Sequence, residues 1–156
     1  ENTRKEKKRE PIKEYLLVDG YNIIFAWDEL KELAAINLDS ARGRLLDILC
    51  NYQAMKGCEL IVVFDAYRVP GHDEEFIDFH NIHVVFTKTA ETADHYIEKF
   101  AHENGKKYNV TVATSDGVEQ VIIRGQGCLL ISAREFEKEI AAMEEHLREN
   151  YLNKTY

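Results

Sequence analysis

Apolar residues gather in five short runs along the chain, and each run is closed by a turn or capping residue. Leu16, Leu17 and Val18 make the first, apolar without alternation and ended by Asp19 and Gly20, which is the pattern of a strand buried on both faces. Residues 60–64, 82–86, 110–113 and 128–131 repeat it. Between the runs the apolar period becomes helical. Ala41, Leu45, Leu46, Ile48, Leu49 and Tyr52 predict a helix capped by Asp39 or Ser40, reaching about Met55 and ended by Gly57. Ile97, Phe100 and Ala101 predict a second, capped by Thr89 or Thr92 and ending near Gly105. A short helix from about Val118 to Arg124 follows, then one capped by Ser132 that runs from about Ala133 to Leu147, with Phe136, Ile140, Met143 and Leu147 on one face. Residues 23–35 lack a clean period and read as a loop with a short helix, and 67–81 carry turn signals and mixed charge and read as a long loop.

Strands that alternate with helices imply parallel neighbours joined by right-handed crossovers. The expected fold is therefore α/β, a three-layer α/β/α domain around a mostly parallel five-stranded sheet. The domain is expected over residues 14–150, with a C-terminal tail at 151–156. Residues 1–13 include Arg4, Lys5, Lys7, Lys8 and Arg9 and read as a charged tail or linker, as in a domain attached to another on its N-terminal side.

Composition narrows the function. A chain of 156 residues, 45% hydrophobic, has enough apolar side chain for one compact core. A formal net charge of −8 argues against gripping nucleic acid by a broad basic surface, because that binding rests on Lys and Arg neutralising phosphates. A site in which a divalent cation supplies the positive charge remains open. No apolar run approaches the ~18 residues of a membrane span, so no membrane partner is expected. Cys50, Cys58 and Cys128 are odd in number and widely spaced, which suits reduced thiols in a cytoplasmic protein.

The chemistry lies where the strands end. Asp19, Asp65 and Asp116 each follow an apolar run closely, so all three belong to the carboxyl edge of the sheet, where open α/β folds bind ligands. With the first strand central, the switch point falls beside it and brings Asp19 toward Asp116, while Asp94 enters from the start of its helix. Asn22 adds an acceptor and two donors beside Asp19. Four carboxylates close together raise each other's pKa unless a cation compensates, and oxygen ligands favour magnesium or manganese over zinc. Taken singly, each acid also has an ordinary use: Asp116 before Gly117 as a cap, Asp65 as a partner for loop amides, Asp94 in a helix's first turn. Glu91 and Glu98 read as solvent-facing.

Val18-Asp19-Gly20-Tyr21-Asn22, Val63-Phe64-Asp65-Ala66, Glu91-Thr92-Ala93-Asp94 and Ala113-Thr114-Ser115-Asp116, in this order, resemble the NYN domains of the YacP type, bacterial relatives of PIN-domain nucleases. Gly125-Gln126-Gly127 and Ser132-Ala133-Arg134-Glu135 extend the likeness, which covers residues 15–147. The resemblance implies a PIN-like fold and a metal-dependent endoribonuclease. Carried onto this chain, it implies Asp19, Asp94 and Asp116 as metal-binding acids, Asp65 close by in the catalytic set, and Asn22 and Ser115 in support. It further implies cleavage of messenger RNA in a ribosome-linked setting.

On that basis one or two magnesium or manganese ions would bind a scissile phosphate and activate water. Tyr21 is a candidate for stacking on a base, and Arg68, Lys88, Arg124 and Arg134 for touching phosphates of single-stranded RNA. Two other classes use the same residues: a catalytically weak module that binds RNA or the ribosome, and a small-molecule phosphohydrolase or phosphoacceptor domain. A receiver-like phosphoacceptor would want a Lys after the fifth strand, where this chain has Ser132-Ala133-Arg134.

Overall fold

The computed structural model describes residues 12–66 and 74–154. Strands β1 (Glu14–Asp19), β2 (Glu59–Phe64), β3 (Glu75–Phe79), β4 (Ile82–Phe86), β5 (Asn109–Ala113) and β6 (Leu129–Ile131) form one sheet in the order β3-β4-β2-β1-β5-β6. All neighbours are parallel except β3 and β4. Helices α1 (Gly20–Ala26), α2 (Asp28–Ile36), α3 (Leu38–Lys56), α4 (Ala93–Asn104), α5 (Gly117–Gly125) and α6 (Ala133–Lys154) cover both faces.

The pleat divides the core in two. Leu16, Val18, Leu60, Val62 and Phe64 point to one face and pack with Ile24, Leu30, Leu45 and Phe136 from α1, α2, α3 and α6. Leu17, Ile61 and Val63 point to the other and pack with Ile97 of α4 and Ile123 of α5. Because successive strand residues face opposite layers, an uninterrupted apolar run is what a doubly covered strand requires. Cys58 and Cys128 are buried within these layers, Cys50 is half-buried, and burial pushes all three thiols up, away from nucleophilic use. Among the described residues no helix is long and apolar enough to cross a membrane.

Three expectations change. The sheet has six strands rather than five, because β3 lies inside the stretch expected to be a loop. As an antiparallel edge strand, β3 buries little and keeps Glu75 and Asp78 among its residues, so it shows no apolar run. It is joined to β4 through His80, at φ 52°, and Asn81, whose side chain donates to the Cys50 carbonyl at 2.9 Å. Residues 23–35 are not loop-rich. They belong to α1 and α2, which meet at the extended residue Trp27, and that break conceals a single helical period. Finally, α6 continues through Lys154, so the expected tail at 151–156 begins within a helix. Leu147 is 56% exposed, and the packed face of α6 ends near Met143.

The strand order turns around at β1: the chain builds β2 and β4 on one side, then β5 and β6 on the other. β1 pairs in register with both, Asp19 opposite Val63 and Val18 opposite Ala113, so the three strands end nearly level. The loops after them open into one crevice.

Candidate metal centre and groove

Asp19, the last residue of β1, is only 5% exposed. Gly20 follows it not for a left-handed turn but for space. A Cβ there would stand 2.3 Å from Phe64 Cε1, so only glycine lets α1 begin directly against that ring. Asp94 sits in the first turn of α4, which Thr92 caps by accepting from the His95 amide at 3.1 Å. Asp65, just beyond β2, accepts a hydrogen bond from the Ala93 amide and so ties the end of β2 to the start of α4.

Glu119 completes the arrangement and was not among the expected site residues. One oxygen each from Asp19, Asp94 and Glu119 lies within 4.8 Å of the others. Glu119 is 1% exposed; its Oε2 accepts from the Thr114 hydroxyl at 3.1 Å, and its Oε1 meets no hydrogen-bond donor among the described residues. Its burial follows from the way α5 packs. Glu119 and Ile123 are four apart and share the inward face of α5, while Val118 and Val121 point outward.

Burial and crowding set the charge state. Burial pushes the Asp19 carboxyl up to about 7; a hydrogen bond to Glu119 opposes that, and the charges of Asp94 and Asp65 add to it. Burial pushes Glu119 up to about 10, with the charges of Asp19 and Asp94 adding. A proton held between Asp19 and Glu119, or a cation, relieves the same conflict.

Asp116 takes a different post. Its Oδ1 accepts from the amides of Val118 and Glu119 at 3.0 and 3.1 Å, so it caps α5 and fixes the turn that carries Glu119 inward. Asp116 lines the same groove as Asp19, Asp65 and Asp94, but it stands outside the three-carboxylate cluster. Asn22 and Ser115 staple the switch point: Asn22 Oδ1 accepts from the Ser115 amide at 2.8 Å, and Ser115 Oγ accepts from the Ala133 amide at 2.9 Å. Trp27 Nε1 donates to the Ala133 carbonyl at 2.8 Å and holds the same corner from below.

Other expected contacts fall elsewhere. Tyr21 is buried, with its ring 5.0 Å from that of Phe64 and its hydroxyl accepting from Arg42 at 3.0 Å, so it packs rather than presents a stacking face. Lys88 and Arg134 are exposed just past the carboxyl ends of β4 and β6; Arg124 is exposed in the last turn of α5, away from that edge. Arg68 lies outside the described residues. Glu91 is buried rather than solvent-facing, with no partner for its Oε1 among the described residues.

A model of the YacP-like NYN domain matches residues 16–156. The chain belongs to the YacP-like NYN domain family. The YacP protein of Bacillus subtilis (strain 168) is 45% identical over 133 residues, spanning 85% of this chain and 78% of that protein. Two crystal structures of Rae1 (YacP) from Bacillus subtilis superpose on it. One, of a point mutant, has a TM-score of 0.79 at 41% identity, covering 91% of this chain and 84% of that one. The other has a TM-score of 0.76 at 43% identity, covering 90% and 81%. As an NYN domain the chain stands in the PIN-like nuclease superfamily, and its role is nuclease- and RNA-related.

The YacP-like site fits a hard divalent cation. Among the described residues its clustered ligand atoms are all carboxylate oxygens, without His or Cys, and a buried Glu119 oxygen has no hydrogen-bond donor.

Proposed function

We propose that this YacP-like NYN domain is a metal-dependent endoribonuclease that cuts single-stranded RNA, with messenger RNA in a ribosome-linked setting as its substrate. The observation that carries the reading is the cluster of buried Asp19 and Glu119 with half-buried Asp94 at the switch point, with a Glu119 oxygen that has no donor among the described residues. Asp19, Asp94 and Glu119 would hold magnesium or manganese, with Asp65 and Asp116 bordering it. When bound, such an ion neutralises phosphate charge and activates water for attack on phosphorus.

The protein's own residues do the rest. Thr114 fixes Glu119 through its hydroxyl, and the same oxygen accepts the Asp116 amide at 3.1 Å, so one side chain sets two acids. Asp65 holds the first turn of α4 in place and with it Asp94. Asn22 and Ser115 keep α1, the turn after β5 and the start of α6 at fixed separation. Among the described residues that line the groove, Asp19, Tyr21, Asn22, Phe25, Ala26, Asp65, Asp94 and Asp116, there is no Lys or Arg. A cation held by these carboxylates would offset their repulsion of an RNA phosphate. Lys88 and Arg134 at the rim are assigned to flanking phosphates.

The test is RNA cleavage on two substrates, an end-labelled single-stranded RNA and translating ribosomes, each with magnesium, manganese or chelator. Metal-dependent internal cuts in either substrate support the reading, and cuts confined to ribosomes place the activity there. RNA or ribosome binding without cuts in either would select the weak binding module. Release of phosphate from small phosphomonoesters alone would select the phosphohydrolase.

A further inference from the structure

Tyr21 lines the groove together with Asp19 and Asp94, and its hydroxyl accepts from Arg42 Nη1 at 3.0 Å. The groove is thus linked to a cation on another helix. Arg42 stands in the early turns of α3, which ends where β2 begins, so this end of α3 lies at the carboxyl edge of the sheet with the acids. The Arg42 side chain is 14% exposed, and its Nη2 donates at 2.8 Å to Oδ1 of Asp39, a side chain that is 86% exposed. A neutral donor would satisfy a tyrosine hydroxyl at lower desolvation cost, and an ion pair with so exposed an aspartate adds little stability. Neither contact calls for what distinguishes arginine, a planar fork matched to phosphate oxygens. A guanidinium also has more N–H groups than Tyr21 and Asp39 take up.

We propose that Arg42 is a substrate-contacting residue whose guanidinium binds a backbone phosphate of the RNA next to the scissile one. The inference rests on the nuclease reading above and assigns a binding role at the same site. The acids with their cation hold the scissile phosphate, while a neighbouring phosphate outside the cation's reach meets carboxylate repulsion. Arg42 offsets that repulsion from the far end of Tyr21, and the phosphate exchanges with the exposed Asp39 carboxylate as its partner. Tyr21 holds the fork in place before RNA arrives, so less side-chain freedom is lost on binding than at the exposed Lys88 and Arg134. Every RNA sequence carries the same phosphates, so Arg42 contributes affinity rather than base preference.

The experiment compares wild type with Arg42→Gln and Arg42→Lys on whichever RNA the wild type cuts, with manganese. A parallel series of substrates carries one methylphosphonate, a neutral linkage, moved stepwise along either side of the cut but not placed at it. Thermal melting and manganese binding on the same samples check the fold and the metal centre. Arg42→Gln should raise KM roughly tenfold with kcat nearly unchanged, and its KM should depend less steeply on salt. Arg42→Lys keeps the charge and a donor for Tyr21 but loses the fork, and its KM should fall between the two. At one flanking position the neutral linkage should cost the wild type a similar factor and Arg42→Gln nothing further. Unchanged KM in a folded Arg42→Gln variant, or losses that add at every position, would overturn the assignment while leaving the nuclease reading intact. So would a wild type indifferent to every flanking methylphosphonate, a result that needs no variant to fold. A wild type that cuts no RNA would remove both.

Discussion

Glu119 places its carboxylate beside that of Asp19, though one residue belongs to a helix that follows β5 and the other ends β1. The pair exists because β1 and β5 are neighbours in register and Asp116 caps α5 so that its first turn faces inward. Neither carboxyl ionises easily there, and a divalent cation would change that.

Glu119→Gln keeps the side chain's size and an acceptor for Thr114 but removes the charge. It should weaken manganese binding by at least roughly tenfold and leave the metal-free protein as stable as wild type or more so. Calorimetric titration and thermal melts measure both. Undiminished manganese affinity in the Gln variant would exclude Glu119 from the centre.

The two raised carboxyls set a pH dependence. Burial in the fold pushes Asp19 up to about 7 and Glu119 up to about 10, from ordinary carboxyl values of 3.8 and 4.5. Their contribution to stability is thus fully present below the lower values and is lost as pH rises, the Asp19 share through about 7 and the Glu119 share through about 10. In chelator, Tm should fall between about pH 5 and 8, less steeply in Asp19→Asn, and the rise in Tm on adding magnesium should grow across the same interval. A magnesium effect that shrinks as pH rises contradicts a carboxylate-bound cation.

Gly20→Ala tests the packing beneath the site. The added methyl would meet Phe64 Cε1 and Cδ1 at 2.3 and 2.5 Å, and the Phe64 ring is fully buried between those of Tyr21 and Phe86. The expected cost is about 1–3 kcal/mol in denaturant unfolding, partly recovered in the Gly20→Ala, Phe64→Leu double variant. Full stability in the single variant would show that the ring yields freely.

The buried strands and the acids at their ends were legible because a doubly covered strand leaves an apolar run that a polar residue must stop. Leu16, Leu17 and Val18 before Asp19 illustrate it, and the supposed central place of the first strand agrees with the observed order β2-β1-β5. What escaped has a common cause: residues whose environment is made by distant chain. β3 gains its place only by pairing with β4, and its exposed Phe76 and Ile77 give no buried pattern. Glu119 reads as an ordinary first-turn acid, and the apolar Val118, Val121 and Ile122 around it suggest the wrong inner face for α5. Tyr21 is a candidate for stacking on a base from its place in the sequence, but its ring packs on Phe64 and its hydroxyl accepts from Arg42, contacts made by distant chain.

The central claim is that Asp19, Asp94 and Glu119 hold a divalent ion that cleaves RNA, and manganese titration with cleavage assayed on the same samples tests it most directly. Wild type should bind manganese and cut RNA, free or on translating ribosomes. Asp94→Asn should stay folded, bind manganese far more weakly and lose the cuts, and chelator should abolish them in the wild type. Full cleavage by a well-folded Asp94→Asn variant, or cleavage that survives chelator, would contradict the account.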